Sequence, residues 1–475
     1  MIKNKTALKN IFKVACGQGV SLISGIAVGL LIPKILSVDG YGFFRIYTLY
    51  VTYTALLHFG FVDGILLKLA GNDYEALNKE KVRAFTRFFV TFQSAIGITM
   101  SLCSLFVSNP DYSFILLMLG INMIIINLLT YYQFISQATQ RFTEFTARNF
   151  MVSILKILFV LILLLLKAVN FYKASYQLYI IGLNVIDGVL LCWYVLTYRD
   201  ITFGKKALLS ETKKEIIDIF KVGIILTAAY QVSHLVFSLD RQFVSVLYPT
   251  DTYAVYSFAY NIVTLISTMI SSLAIVLLPM LKKAKKEYVK NNYTNVLTVI
   301  ALIVGIAVVC YYPFAIFIKW FLPNYEYSLE YLKIVLPSLM YSSCISVVMF
   351  TFCKTLDKNL SFFVNGCIAL AIGFTSNAVA YWIFKTPESI SYASFVTMAL
   401  WFIIEGVYLK KTVNVTSFKV FIYLFILSIS FLAVSTFIKM WWLSMIAYVA
   451  LYLLVTFVLY FKFIKAFVKD RLKHN

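Results

Sequence analysis

Residues 39–44 read Asp-Gly-Tyr-Gly-Phe-Phe, and residues 251–256 read Asp-Thr-Tyr-Ala-Val-Tyr. Both fit Asp-x-Tyr-small-x-aromatic at an offset of 212 residues, and each copy opens a long apolar stretch from the same side. Six apolar stretches separate the equivalent points, so the match points to an internal repeat. The expected architecture is two six-helix lobes in parallel repeat around a central cavity, with two further helices at the C-terminus, an organisation typical of secondary transporters.

The rest of the chain agrees with this class. Of 475 residues, 61% are hydrophobic and 13% charged, with a mean hydropathy of +0.85. A soluble domain carries about 25% charged residues, so this composition cannot cover a soluble surface. Disorder is excluded because it requires low hydrophobicity. The seven cysteines (16, 103, 192, 310, 344, 353 and 367) are scattered, odd in number and without a C-x-x-C, and read as small membrane-embedded hydrophobes. An all-α polytopic membrane protein remains.

Apolar runs of about 18–25 residues each suffice for the hydrocarbon core. They place about fourteen transmembrane helices at 13–33, 43–66, 86–107, 113–134, 150–167, 174–198, 219–241, 254–279, 294–318, 328–352, 360–384, 390–409, 418–437 and 441–463. The first run lacks an A-x-A exit and is expected to be retained rather than cleaved. The expected domains are an N-terminal six-helix lobe (1–198), a cytoplasmic linker (199–218), a C-terminal six-helix lobe (219–410), and two additional helices with a basic tail (411–475). The net charge of +21 falls in the gaps between runs, which makes it a topology signal rather than a nucleic-acid footprint. Lys and Arg number 32 on one side and 9 on the other, with Lys156 left inside a span; this bias predicts that both termini are cytoplasmic.

Three spans carry polar stripes. The seventh has Thr227, Tyr230, Gln231, His234, Ser238 and Arg241; the eighth has Ser257, Asn261, Thr264, Thr268 and Ser271; the second has Arg45, Thr48, Thr52 and Asp63. The 212-residue offset carries Arg45, Thr48 and Thr52 onto Ser257, Tyr260 and Thr264. Thr48, Thr52, Thr227, Gln231, His234, Asn261, Thr264 and Thr268 are therefore expected to line a hydrated cavity. The competing reading is that the hydroxyls bond back to their own helices or join neighbouring ones. Gly17, Ser21, Gly25 and Gly29 instead form a small-residue ladder suited to close helix packing.

Ionisable groups inside spans cost several kcal/mol and default to function. Arg45, Arg241 and Lys156 are the candidates for a cationic, phosphate-seeking lining. The competing reading of the two arginines is snorkelling to the interface. Asp63, Asp187 and Glu405 are the carboxylates available for ion coupling. Asp63 and Glu405 are expected near the interface. Asp187 is expected not to pair with Lys156, because the two lie at different depths and lean apart. His58 lies off the second-span stripe and reads as a packing residue. There is no P-loop, no H-E-x-x-H and no G-x-S-x-G. With three histidines and no long loop, no metal, cofactor or catalytic centre is expected.

The segment Leu31-Ile-Pro-Lys-Ile-Leu-Ser-Val-Asp-Gly-Tyr-Gly-Phe-Phe44 resembles the R-x-L-G-x-x-x-Y-G-x-F region of polysaccharide-type flippases in the multidrug/oligosaccharidyl-lipid/polysaccharide exporter superfamily. Leu239-Asp-Arg-Gln-Phe-Val-Ser-Val-Leu-Tyr248 resembles their D-R signature, followed by a Tyr-rich helix ending near Pro279. His58-Phe-Gly-Phe-Val-Asp-Gly-Ile65 resembles their second-helix end. The resemblance implies a flippase for undecaprenyl-pyrophosphate-linked oligosaccharide in a bacterial cytoplasmic (inner) membrane, working by alternating access on a proton or sodium gradient, beside polymerase or assembly proteins. It implies that Arg45, Arg241 and Lys156 hold the pyrophosphate. Where the family has Arg before L-G, this chain has Lys34 and then Leu36-Ser37, and its first span is uncharged between Lys13 and Pro33. That departure favours the O-antigen and capsule branch over the peptidoglycan branch. A cation-coupled multidrug exporter of the same fold and a membrane glycan polymerase or transferase are the alternatives.

Overall fold

The computed structural model describes residues 23–169 and 175–472. Cys16, Gly17 and Ser21, the four leading lysines, Lys173 and His474 lie outside the described residues. The described chain is helical and without strands.

Its first helices are α1 (Ile23–Ile35), α2 (Val38–Thr54), α3 (Phe61–Leu69), α4 (Lys79–Cys103), α5 (Pro110–Ala138), α6 (Phe142–Ala168), α7 (Tyr176–Thr197), the short α8 (Arg199–Thr202) and the long α9 (Leu209–Leu247). α10 (Thr250–Lys283) follows, then α11 (Lys286–Ala307), α12 (Tyr311–Phe321), α13 (Ser328–Val335), α14 (Ser338–Ser343), α15 (Phe350–Thr355), α16 (Asn359–Phe384), α17 (Pro387–Val413), α18 (Phe418–Phe437) and α19 (Trp441–Leu472). Among the described residues 11 helices can cross a membrane, or 13 if two bent pairs each count as one span. Each expected span from the second onward coincides with a helix or a bent pair, and Ile23–Ile35 represents the first. The expected number of fourteen is thus approximate.

By contact, the chain divides into two compact units, with the division between Ala254 and Val255. In the first, Ser37 caps α2 by accepting the Gly40 N–H at 3.1 Å, and Asp39 sits in the first turn. Such a cap contributes about 1 kcal/mol. Asp251 occupies the first turn of α10, so both motif copies open a helix with an acid at its positive end. The small position of the first copy has a steric cause: a methyl group on Gly42 would collide with the Thr250 carbonyl.

The second span is broken. After Thr54 the chain makes a 3₁₀ turn (Ala55–His58), then Phe59 and Gly60 take left-handed φ values of 48° and 84°, and α3 departs at 58°. His58 is buried and its Nδ1 accepts the Gly60 N–H at 3.1 Å, so this residue secures the break. α3 then packs backbone-to-backbone on α9, where a methyl on Gly60, Gly64 or Gly223 would strike the facing main chain. Phe61, Phe88, Phe89, Tyr131 and Phe220 fill the adjoining core, with Phe61 and Phe89 stacked at 5.0 Å. Aromatic pairs of this kind contribute about 0.5–1.5 kcal/mol beyond burial.

At the ends of these helices a polar latch ties α8 to the segment before α4. Asp200 accepts from the Tyr74 hydroxyl at 2.5 Å and pairs with Lys79 at 3.0 Å, while Arg83 donates to the Asp200 carbonyl at 2.6 Å. Burial opposes the charge on Asp200, yet the Tyr74 hydroxyl and the Lys79 ammonium together hold its carboxyl below the usual range. In the second unit, Pro337 separates α13 from α14, which diverge by 46° in the bent pair. A π turn at Cys344–Met349 follows.

Candidate substrate and coupling sites

α2 and α9 bring the two candidate arginines onto one helix pair. The Tyr53 hydroxyl meets Ser238 Oγ at 3.0 Å, and Gln242 Nε2 donates to the Tyr50 hydroxyl at 2.8 Å. Arg45 lies near one end of this seam, its guanidinium 6.0 Å from the Tyr41 ring centre and within electrostatic reach of Tyr179. Its Nε is buried without a hydrogen bond, and among the described residues Arg45 forms no ion pair. Arg241, half-buried on α9, donates through Nη2 to the Phe237 carbonyl at 3.2 Å, while its backbone N–H donates to Asp240 Oδ1 at 2.7 Å. His234 lies within its electrostatic reach.

Most of the hydroxyl stripes bond back within their own helices. Thr48 donates to the Arg45 carbonyl at 3.0 Å and Thr52 to the Leu49 carbonyl at 2.6 Å. Thr264 donates to Tyr260 at 2.8 Å and Thr268 to Thr264 at 2.7 Å. These threonines bond back to their own helices because the carbonyl a turn earlier is the nearest acceptor in an apolar medium. Thr52, Thr264 and Thr268 remain exposed, Thr48 and Asn261 are partly so, and Gln231 is buried with its Oε1 unbonded. Thr227 is buried and its hydroxyl donates to Asp63 Oδ2, which joins α3 to α9.

Lys156 and Asp187 are paired, Nζ to Oδ1, at 3.1 Å; this corrects the expectation that they stay apart. That expectation began the fifth span at residue 150, whereas α6 begins at Phe142. Lys156 therefore lies about 20 Å into its helix, and Asp187 about 15 Å from the matching end of α7, a gap that a four-carbon stem spans. Leaving either charge alone in lipid would cost several kcal/mol. Beside the pair, Asn122 Nδ2 donates to Asn184 Oδ1 at 2.9 Å, and Asn184 Nδ2 donates to the Tyr47 hydroxyl at 2.9 Å. The polar line thus runs from α5 through α7 to α2.

Glu405, expected at an interface, is fully buried. α17 continues to Val413, where Asn414 ends it with a left-handed φ of 61°, so Glu405 lies about 12 Å from that end along the axis. Asn365 and Trp401 flank it, but neither carboxylate oxygen accepts a well-formed hydrogen bond. The four-residue spacing of Trp401 and Glu405, which puts both on one face of a helix, is the sequence signal for this burial.

A second residue missed from sequence is Arg148. It is 2% exposed and donates to Glu144 at 3.3 Å and to Thr197 Oγ1 at 2.6 Å; its guanidinium lies 4.2 Å from the Tyr194 ring centre. Counting it among the charges flanking the membrane concealed its burial.

A model of the family described as polysaccharide biosynthesis protein matches residues 7–285. No curated protein matches. Among solved structures, the lipid II flippase MurJ in an inward closed conformation superimposes with a TM-score of 0.69 at 13% identity, covering 96% of this chain and 100% of that one. An inward-facing multidrug-resistance MATE transporter of the MOP superfamily superimposes with a TM-score of 0.62 at 14% identity, covering 85% and 98%. A MOP superfamily transporter from Pyrococcus furiosus, described as having a binding pocket of reversed polarity, gives 0.61 at 12%, covering 86% and 96%. At these identities the likeness establishes the fold.

Proposed function

Because the chain belongs to the polysaccharide biosynthesis protein family, we propose that this multi-pass membrane protein is a flippase for undecaprenyl-pyrophosphate-linked oligosaccharide. In this reading it moves repeat units for O-antigen, capsule or exopolysaccharide across a bacterial cytoplasmic membrane, with both termini inside. The lobes predicted from the repeat, 1–198 and 219–410, alternate access to the two sides, and the helices of 411–475 accompany them. The observation that carries the reading is the pair of arginines on the α2–α9 seam, Arg45 without an ion-pair partner among the described residues. A guanidinium in a low-dielectric setting favours a phosphate and binds it through two parallel N–H groups. Lys156, which the resemblance also offered for phosphate, is paired with Asp187. The fold is shared with a protein named as a lipid II flippase, which is consistent with a lipid-borne cargo.

Measuring where lipid-linked oligosaccharide collects in a deletion strain tests the proposal. Build-up on the cytoplasmic leaflet supports it. Single repeat units stranded outside would identify a glycan polymerase or transferase, and an unchanged distribution would identify the multidrug-exporter alternative. Arg45→Ala and Arg241→Ala should each abolish complementation while the protein still inserts; full activity in both would remove the cationic headgroup site.

A further inference from the structure

Glu405 stands out among the intramembrane acids. It is 0% exposed, neither oxygen has a well-formed hydrogen bond, and among the described residues no Lys or Arg forms an ion pair with it. Desolvating an ionised carboxylate without a counter-charge costs several kcal/mol, so such a group takes up a proton.

The surroundings are largely neutral. α16 contributes Asn365, and Trp401 lies one turn earlier on α17 itself. Tyr293 of α11 and Cys353 of α15 are within electrostatic reach, but the Tyr293 hydroxyl is taken by Ser417 Oγ at 2.8 Å. α14 contributes Tyr341, whose ring packs on Phe402 at 6.0 Å, and Cys344 is buried in the following π turn. α18 packs through Phe421. On α13, Glu330 and Lys333 pair with each other at 2.6 Å, and Tyr331 packs on Tyr256. Lys358 precedes α16 and acts on Cys353, while Lys354 lies over the Phe350 ring at 3.8 Å and Lys410 is exposed near the end of α17.

We propose that Glu405 is a proton-binding site within the second unit, where the carboxylate takes a proton from hydronium and leaves water, and returns it when the site is next hydrated. The ligand is a proton rather than a metal cation. Hard cations take about six oxygen ligands, whereas the polar side chains beside this single carboxylate are an indole, which only donates, and one amide. Among the described residues no cluster of three or more His, Cys, Asp or Glu is placed to hold a metal. Asn365 and Trp401 supply N–H groups that stabilise the anion once water admits it. The neutral acid suits a closed, dry α16–α17 contact and the anion an open, wet one. This rests on the transport reading only where it assigns the proton to coupling.

The test is pH-resolved infrared spectroscopy of the purified full-length protein in nanodiscs, with protons as the sole ligand. The expected wild-type spectrum contains a protonated-carboxyl C=O band that fades as pH rises, is absent in Glu405→Gln, and does not respond to sodium at constant ionic strength. Asn365→Leu, which removes a donor to the anion, should raise the proton affinity of that band about tenfold. A titrating band that survives unchanged in Glu405→Gln overturns the site, as does a band displaced by sodium. If Glu405→Gln cannot be purified, an unmoved midpoint in Asn365→Leu overturns it. No lipid-linked sugar enters this measurement, so it can succeed or fail independently of the flippase assay.

Discussion

The two compact units treat buried acids in different ways. In the first, Asp187 faces Lys156 at 3.1 Å and Asp63 accepts the Thr227 hydroxyl. In the second, Glu405 is more deeply buried than either, is flanked by Asn365 and Trp401, and among the described residues has no ion-pair partner. Each of the first two ties helices together, Lys156–Asp187 joining α6 to α7 and Thr227–Asp63 joining α9 to α3. Under the proposal above, the acid without an ion-pair partner among the described residues is the one that exchanges a proton. The difference lies in the partners these acids are given among the described residues, a charge or a hydroxyl in the first unit and neither in the second.

The widest separation between the units should appear on removing charge. Lys156→Leu leaves Asp187 unpaired and should destabilise the protein by at most about 3 kcal/mol, the lower end for breaking a buried pair, because Lys156 is one-third exposed. The double change Lys156→Leu with Asp187→Leu should recover most of that loss, and Glu405→Gln should cost nothing. Thermal unfolding in detergent measures all three. Equal losses for Lys156→Leu and Glu405→Gln would erase the distinction.

A smaller effect sharpens the account of the first unit. Gly223→Ala places a methyl against the Gly60 carbonyl and should cost about 1–3 kcal/mol by forcing α3 and α9 apart. Gly188→Ala on α7, where a methyl would meet only the Ile125 side chain at 4.0 Å, should be close to neutral. The smallest effect concerns the latch. Asp200 has a folded-state carboxyl below its unfolded value of about 3.9, so its stabilisation is present above that pH and lost as pH falls through the lower folded value. Asp200→Asn should therefore melt slightly earlier than wild type at neutral pH, and the two curves should converge on acidification.

Much of the fold was legible because hydropathy writes span after span, and Asp39 and Asp251 mark where two of them begin. The break in the second span was hidden. Phe59 in a left-handed conformation has no sequence signature, and Gly60 alone reads as an ordinary small residue in an apolar run. The candidate site was less legible for a related reason. Hydropathy windows trim charged helix ends, so α6 was begun eight residues late and α17 was ended four residues early, which misplaced Lys156 and Glu405 in depth. Arg45 and Arg241 were marked as candidates because an isolated guanidinium in an apolar run stands out. Arg148 was not, because polar residues before it suggested water where the structure has aromatic rings.

The π turn at Cys344–Met349 has a bearing on how this chain can vary. Such a turn holds one residue more than its α-helical equivalent, so the side chains after it are rotated by about 100° from where an uninterrupted helix would put them. Loss of one residue inside those six positions would tighten the turn locally, whereas loss of one residue elsewhere in the span would swing every later side chain out of register. The span therefore carries its own slack, a single place where length can change while the neighbouring contacts stay in step.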